Sequence, residues 1–312
     1  MSRRCKISPM TAPHTRRDHL DGTAMLLLTA CCLFWGFQQV MVKATIAEVP
    51  TVLQAGIRFC GATLLVLLWC LLRRKPLFPQ PLSQDASLWP GLLAGALFAG
   101  EFAFLQLSML HIPASRLTIL LYTSPFWVAA IVPLLVPAEK LGRWQWAGLT
   151  LAFAAVVFAL RDSLAQATGS SLTGDLLALG AGACWGLTTV VIRTTALGRA
   201  GAEKILFWQV AVSGPALMAM SWFMGERLPS SLSPFAWTSL ALQIGVGAFA
   251  SFLLWMWMLG RYPATLLSSF VFLSPVFALI TGSLWLGEPV TPGLLVALIG
   301  VGAGIVLVNR RG

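Results

Sequence analysis

Residues 263–286 read PATLLSSFVFLSPVFALITGSLWL, and residues 113–136 read PASRLTILLYTSPFWVAAIVPLLV. Each is an apolar run longer than the about 20 residues a helix needs to cross a bilayer. Each opens on Pro-Ala and a hydroxyl residue, and each carries Ser-Pro near its middle. The two runs lie 150 residues apart, and the same offset aligns much else. Trp35-Gly36 falls on Trp185-Gly186, Lys43 on Arg193, Gly95 on Gly245, Phe102 on Phe252, Ser124-Pro125 on Ser274-Pro275 and, after a slip of one, Glu139 on Glu288. Apolar helices match by chance on Leu and Ala, but not on Trp-Gly, Pro-Ala and Ser-Pro in order.

Outward from these runs the chain continues in the same vein. Hydrophobic residues make up 57% of the 312 and charged residues only 10%, where a soluble domain carries about 25% charged. So few charges cannot cover a water-facing surface, and the mean hydropathy of +0.81 points to a lipid solvent. Ten apolar runs are long enough to span: 22–43, 50–72, 87–110, 113–136, 142–161, 174–194, 203–224, 234–258, 263–286 and 291–309. Trp69, Trp89, Trp144, Trp146, Trp222, Trp237 and Trp285 fall near their ends, as interfacial anchors do. The expected fold is an all-α membrane protein of ten transmembrane helices, in two five-helix halves at 22–161 and 174–309. A linker at 162–173 joins them, with tails at 1–21 and 310–312.

Alternating spans put most Lys and Arg on one side: the N-terminal tail, Arg73, Arg74, Lys75, Lys140, Arg143, Arg199, Lys204, Arg261, Arg310 and Arg311. The positive-inside rule makes that side cytoplasmic and places both termini there. An odd number of spans per half turns the second half upside down relative to the first. Inverted repeats of this kind are characteristic of transporters, with the substrate site near the midplane between halves. The net charge of +10 is thus read as membrane orientation, with membrane lipid as the surrounding partner and no nucleic acid.

The stretches LFWGFQQVMVK, GIRF, PASRLTILLYTSPFWVAAI and PATLLSSFVFLSPVFALITGSLWLGEPVTPGLL resemble the drug/metabolite transporter superfamily, specifically its ten-helix EamA branch, over residues 22–309. The resemblance implies a bacterial inner-membrane secondary transporter that exports amino acids and related small metabolites. Within the branch the chain resembles the aromatic amino-acid exporters of the YddG type, with no motif that separates these from threonine/homoserine or cysteine-type exporters. It also implies that spans one to four and six to nine line the cavity while spans five and ten support it. A fused ten-helix chain holds both halves, so a monomer suffices.

Positions where the halves differ can read an asymmetric substrate. Glu101 in span three faces Ser251 in the alignment, and Arg58 in span two faces Trp208. Arg58 and Glu101 lie about 12 and 13 Å from the outer ends of their spans at 1.5 Å per residue. They can form a structural ion pair, or Glu101 can bind a substrate ammonium or carry a proton, since an intramembrane carboxylate is by default a functional hypothesis. Gln38 and Gln39, opposite Thr188 and Thr189, and Gln243 can hydrogen-bond an amino acid's polar end or a neighbouring helix. Trp35, Tyr122, Trp127, Trp185, Phe207, Trp208, Trp255, Trp257 and Phe270 can line a cavity for a large neutral side chain, or face lipid. Pro125 and Pro275 offer paired hinges. Lys43 and Arg193 read as side chains snorkelling to opposite faces, with a gate contact as the alternative.

No P-loop is present, the three histidines (His14, His19, His111) form no cluster, and the six cysteines show no metal-ligand or disulfide spacing. No cofactor, metal or enzymatic activity is expected. The rivals are organic-cation efflux, which needs a carboxylate free of Arg58, a lipid-modifying membrane enzyme, and a channel.

Overall fold

The computed structural model describes residues 20–161, 171–287 and 292–310. Most of the N-terminal tail and of the linker, the turn at Glu288 and the last two residues lie outside them. Every element is helical, with no strand among the described residues. That follows from the solvent: backbone groups in lipid must be satisfied within the segment.

The elements are α1 (Gly22–Thr45), α2 (Thr51–Leu72), α3 (Leu88–Met109), α4 (Ala114–Leu121), α5 (Ser124–Leu135), α6 (Arg143–Ala159), α7 (Leu172–Thr194), α8 (Ala202–Phe223), α9 (Pro234–Leu259), α10 (Ala264–Phe270), α11 (Leu273–Leu286) and α12 (Pro292–Val308). Eight helical stretches are long and apolar enough to cross a membrane: α1, α2, α3, α4–α5, α7, α8, α9 and α10–α11. α6 and α12 are shorter, at 17 residues each. Trp89, Trp222 and Trp237 are strongly exposed at helix ends.

The Ser-Pro dipeptides break their helices. Proline cannot donate to the carbonyl four residues back, and its ring collides with it. For Pro125 that residue is Leu121, where α4 stops; for Pro275 it is Val271, just past the end of α10. Each proline sits in the first turn of the following helix, so the expected mid-helix kinks are full interruptions with the proline just beyond. The Trp-Gly glycines explain how neighbours approach the breaks. A Cβ on Gly36 would lie 2.7 Å from the Ser274 carbonyl oxygen, and one on Gly186 3.0 Å from that of Ser124. The glycine of each half therefore packs on the Ser-Pro break of the other.

Small residues also set the contact of α6 with α12. A Cβ on Gly148 would come within 2.5 Å of the Gly304 carbonyl oxygen, and one on Gly304 within 2.6 Å of that of Gly148. Such approach holds apolar helices together in lipid, where no hydrophobic drive exists between them. Gly148→Val is expected to lower stability in detergent by about 1–3 kcal/mol through overpacking. Gly302→Ala, with nothing within 4 Å, should be neutral. Equal melting of both variants would refute this contact.

Polar contacts close both ends of the bundle. At one end Arg116 grips Asp175 through two bonds of 2.7 and 2.6 Å, and Glu48 accepts from the Ser233 amide and hydroxyl at 2.8 and 2.7 Å. Those two donors hold the Glu48 carboxyl below its usual range. At the other end Lys204 pairs with Asp85, and Lys75 with Glu203 at 3.0 Å. The Lys204 ammonium holds the Asp85 carboxyl down to about 2, so that carboxyl stays ionised at neutral pH.

Candidate functional site

Helices α1, α3, α7, α8 and α9 surround an interior cavity of about 60 Å³. Its wall is aromatic: Trp35, Phe98, Phe102, Trp185, Phe252 and Trp255, with Ile192 and Met256. The polar lining is Glu101, Thr188, Thr189 and Gln209. Small-molecule pockets usually hold roughly 300–1,000 Å³, so this is a small chamber, and it is not fully enclosed.

The chamber lies on the repeat. Trp35 and Trp185 are equivalent, as are Phe102 and Phe252, and all four line it. The polar groups break that symmetry. Glu101, 6% exposed, has one carboxylate oxygen with no hydrogen-bond partner. Its counterpart Ser251 is fully engaged: it donates to the Gly247 carbonyl and accepts from the Trp35 indole at 2.8 Å. Gly247 and Ser251 belong to a π-helical stretch of α9, Gln243–Ser251, whereas the matching part of α3 is regular α-helix. Such stretches are frequent at functional sites. Thr188 spends its hydroxyl on the Cys184 carbonyl at 2.8 Å. Gln209, 2% exposed, leaves its amide oxygen unpartnered.

The direct Arg58–Glu101 ion pair is not formed. The charges interact electrostatically, but no nitrogen–oxygen contact of 4.0 Å or less joins them, and Arg58 Nε is without a partner. The Arg58 guanidinium instead lies 4.8 Å from the Phe59 ring centre and 5.3 Å from that of Phe102. Phe102 lines the chamber, whereas Arg58 does not.

Of the side chains expected to bind substrate, Trp35, Glu101, Trp185, Thr188 and Trp255 line the cavity. The others do not. Gln243 is fully buried and holds Gln54 and Ser239 at 3.1 and 3.0 Å, a link between α9 and α2. Gln38 packs against Gly247. Gln39 faces the Tyr122 hydroxyl, and the Tyr122 ring meets Trp185 edge-on at 5.7 Å, one layer outside the wall. Trp127, 39% exposed, covers Gly186 from outside. Trp208 packs on Phe78 and over Gly91. Spans two, four and nine contribute no lining residue among those described. Gln209 was missed; its counterpart is Phe59, so the signal was a polar-for-aromatic exchange one position beyond Arg58/Trp208.

Arg193 does not snorkel. It is buried, and its Nε donates to Glu139 Oε1 at 2.5 Å while a terminal nitrogen donates to the Leu259 carbonyl at 2.8 Å. The second Glu139 oxygen accepts from the Ala264 amide at 2.7 Å. The turn Pro137–Glu139 presents this carboxylate. One ion pair thus ties the end of α5 to the end of α7 and to the α9–α10 turn.

The sequence model of the EamA-like transporter family matches residues 22–161 and 172–310. An uncharacterised transporter of Bacillus subtilis (strain 168), YoaV, is 26% identical over 90% of this chain and 94% of its own. A probable amino-acid metabolite efflux pump of Salmonella typhimurium (strain LT2) is 24% identical over 91% of this chain and 93% of its own. A solved crystal structure superposes with a TM-score of 0.76 over 91% of this chain and 97% of that one, at 19% identity, a likeness of fold.

Proposed function

From the premise that this chain is a multi-pass membrane protein belonging to the EamA-like transporter family, we propose that it exports neutral amino acids with aromatic or bulky apolar side chains, by alternating access, across a bacterial inner membrane. The observation that carries the reading is this chamber, six aromatic side chains around one buried carboxylate with an unpartnered oxygen. The aromatic wall suits a large apolar side chain, and the carboxylate suits an ammonium or a coupling proton.

The proposed architecture is ten spans in two inverted halves, with both termini cytoplasmic and α6 and α12 as the short fifth and tenth spans. Reciprocal packing supports it. Gly36 on Ser274 and Gly186 on Ser124 are the same contact made twice, with the halves exchanged. Likewise α1 packs on α11 and α7 on α5, α2 on α9 and α3 on α8, while α6 packs on α12 across the pseudo-axis. On this orientation the Arg193–Glu139 cluster closes the cytoplasmic end, and Arg116–Asp175 and Glu48–Ser233 close the outer end. Transport alternates by loosening one set while the other holds. A monomer contains the whole pathway.

The test is counterflow in proteoliposomes with labelled amino acids, where saturable exchange of phenylalanine, tryptophan or leucine is expected. Exchange of none of them sinks the proposal. The freedom of Glu101 from a direct ion pair favours a second reading, efflux of organic cations. Energised efflux of a quaternary ammonium dye, with no amino-acid exchange, would establish it instead.

A further inference from the structure

We infer that Glu101 and Gln209 together form a subsite for a primary ammonium group, so that the chamber selects its ligand by the amine and only secondarily by a carboxylate. The inference rests on the reading of the chamber as the transport site and names the chemistry it reads.

The argument is one of unmet hydrogen bonds. Buried polar atoms in folded proteins nearly always have partners, and each exception calls for an explanation. Two residues that line this one chamber leave a buried oxygen without a donor: Glu101 Oε2 and Gln209 Oε1. Both residues are more than nine-tenths buried. Several other polar groups around the chamber are already spent. Thr188 and Thr189 donate within α7, the Trp35 indole donates to Ser251, and Ser251 donates to Gly247. The side-chain donors that remain on lining residues, the Gln209 amide nitrogen and the Trp185 and Trp255 indoles, are all neutral.

A primary ammonium has three donors and no acceptor, which matches the two unmet oxygens and neutralises the carboxylate. A carboxylate ligand would meet only neutral donors, beside a buried carboxylate of like charge. The buried unpartnered donors, Arg58 Nε and Trp208 Nε1, belong to residues outside the chamber wall. The two acceptors also come from different halves, α3 and α8, at positions where the repeat carries Ser251 and Phe59 instead. One ammonium bound between them would draw the halves together. Gln209 is thus a specificity-determining residue.

The test uses purified full-length protein and ligand-induced thermal stabilisation, which reads binding to the folded state without requiring transport. The probes are phenethylamine, which keeps the ammonium and ring but lacks the carboxylate, and 3-phenylpropionate, which lacks the amine. Phenethylamine is expected to stabilise at concentrations within about tenfold of phenylalanine, and 3-phenylpropionate to need at least a hundredfold more. Gln209→Leu should weaken phenethylamine binding by about tenfold to a hundredfold, the loss of one hydrogen bond to a charged group. Gln209→Glu, which keeps an acceptor, should retain it. Tighter binding of 3-phenylpropionate than of phenethylamine overturns the inference. So does undiminished phenethylamine binding by a folded Gln209→Leu protein. Failure of phenylalanine exchange, with phenethylamine binding intact, would remove the amino-acid reading and leave the ammonium subsite standing.

Discussion

Arg193→Leu destabilises the protein by about 3–5 kcal/mol, the cost of leaving one charge of a buried pair without its partner. The pair is fully enclosed, with each side chain only 4% exposed. Truncating Arg193 leaves the Glu139 carboxylate with the Ala264 amide as its one remaining donor, and it strips the Leu259 carbonyl of its side-chain donor. Thermal unfolding in detergent measures the loss. The double variant Arg193→Leu/Glu139→Leu should recover part of it, because no charge is then buried alone. Recovery stays incomplete, since the Ala264 amide and Leu259 carbonyl still lack side-chain partners. A melting temperature unchanged in Arg193→Leu would show that the pair contributes nothing. On the proposed orientation this cluster holds the cytoplasmic end shut, so a milder variant, Glu139→Gln, should also shift the population toward cytoplasm-open forms. Faster labelling of a cysteine introduced at Thr189, on the chamber wall, would report that shift.

Glu101→Gln is the variant expected to separate function from folding most cleanly. It keeps the size of the side chain and removes its charge. A charge-assisted hydrogen bond to an ammonium is worth about 1.5–3 kcal/mol, so ligand affinity and transport should fall by more than tenfold. Stability should change little, for two reasons that oppose each other. The variant no longer buries an under-partnered carboxylate, which is a gain. It also loses the long-range attraction to Arg58, but no direct hydrogen bond to that residue exists to be broken. The measurements are expression, melting in detergent and counterflow on one preparation. A large drop in melting temperature together with transport would make Glu101 a packing residue and remove it from the site.

Much of the fold was legible in the chain. Apolar length alone marks where the helices lie, since lipid leaves a spanning segment no other means of satisfying its backbone. Helix occupies all ten ranges read as spans. The Ser-Pro dipeptides mark the interruptions, because proline's missing donor acts on its own helix. The Trp-Gly pairs mark the repeat, but their close approach to the other half's Ser-Pro was not readable. The site was legible only in part. Trp35, Trp185, Trp255, Glu101 and Thr188 line the chamber, while Gln243, an equally conspicuous amide, ties two helices together.

The sequence by itself determined the helical segments, their breaks, the repeat and the scarcity of charge, all of which are properties of one segment or of a comparison between segments. Tertiary structure alone decided that Gln209 shares a chamber with Glu101, that Arg58 lies against Phe59 and Phe102 with no direct bond to Glu101, and that Arg193 finds Glu139. The reason is rotational. In a soluble helix an apolar stripe tells which face turns inward. Helices in lipid are apolar all round, so nothing in one segment states which way a given side chain points. That rotation is set by small residues and interhelical bonds to neighbours, and these exist only once the helices have packed.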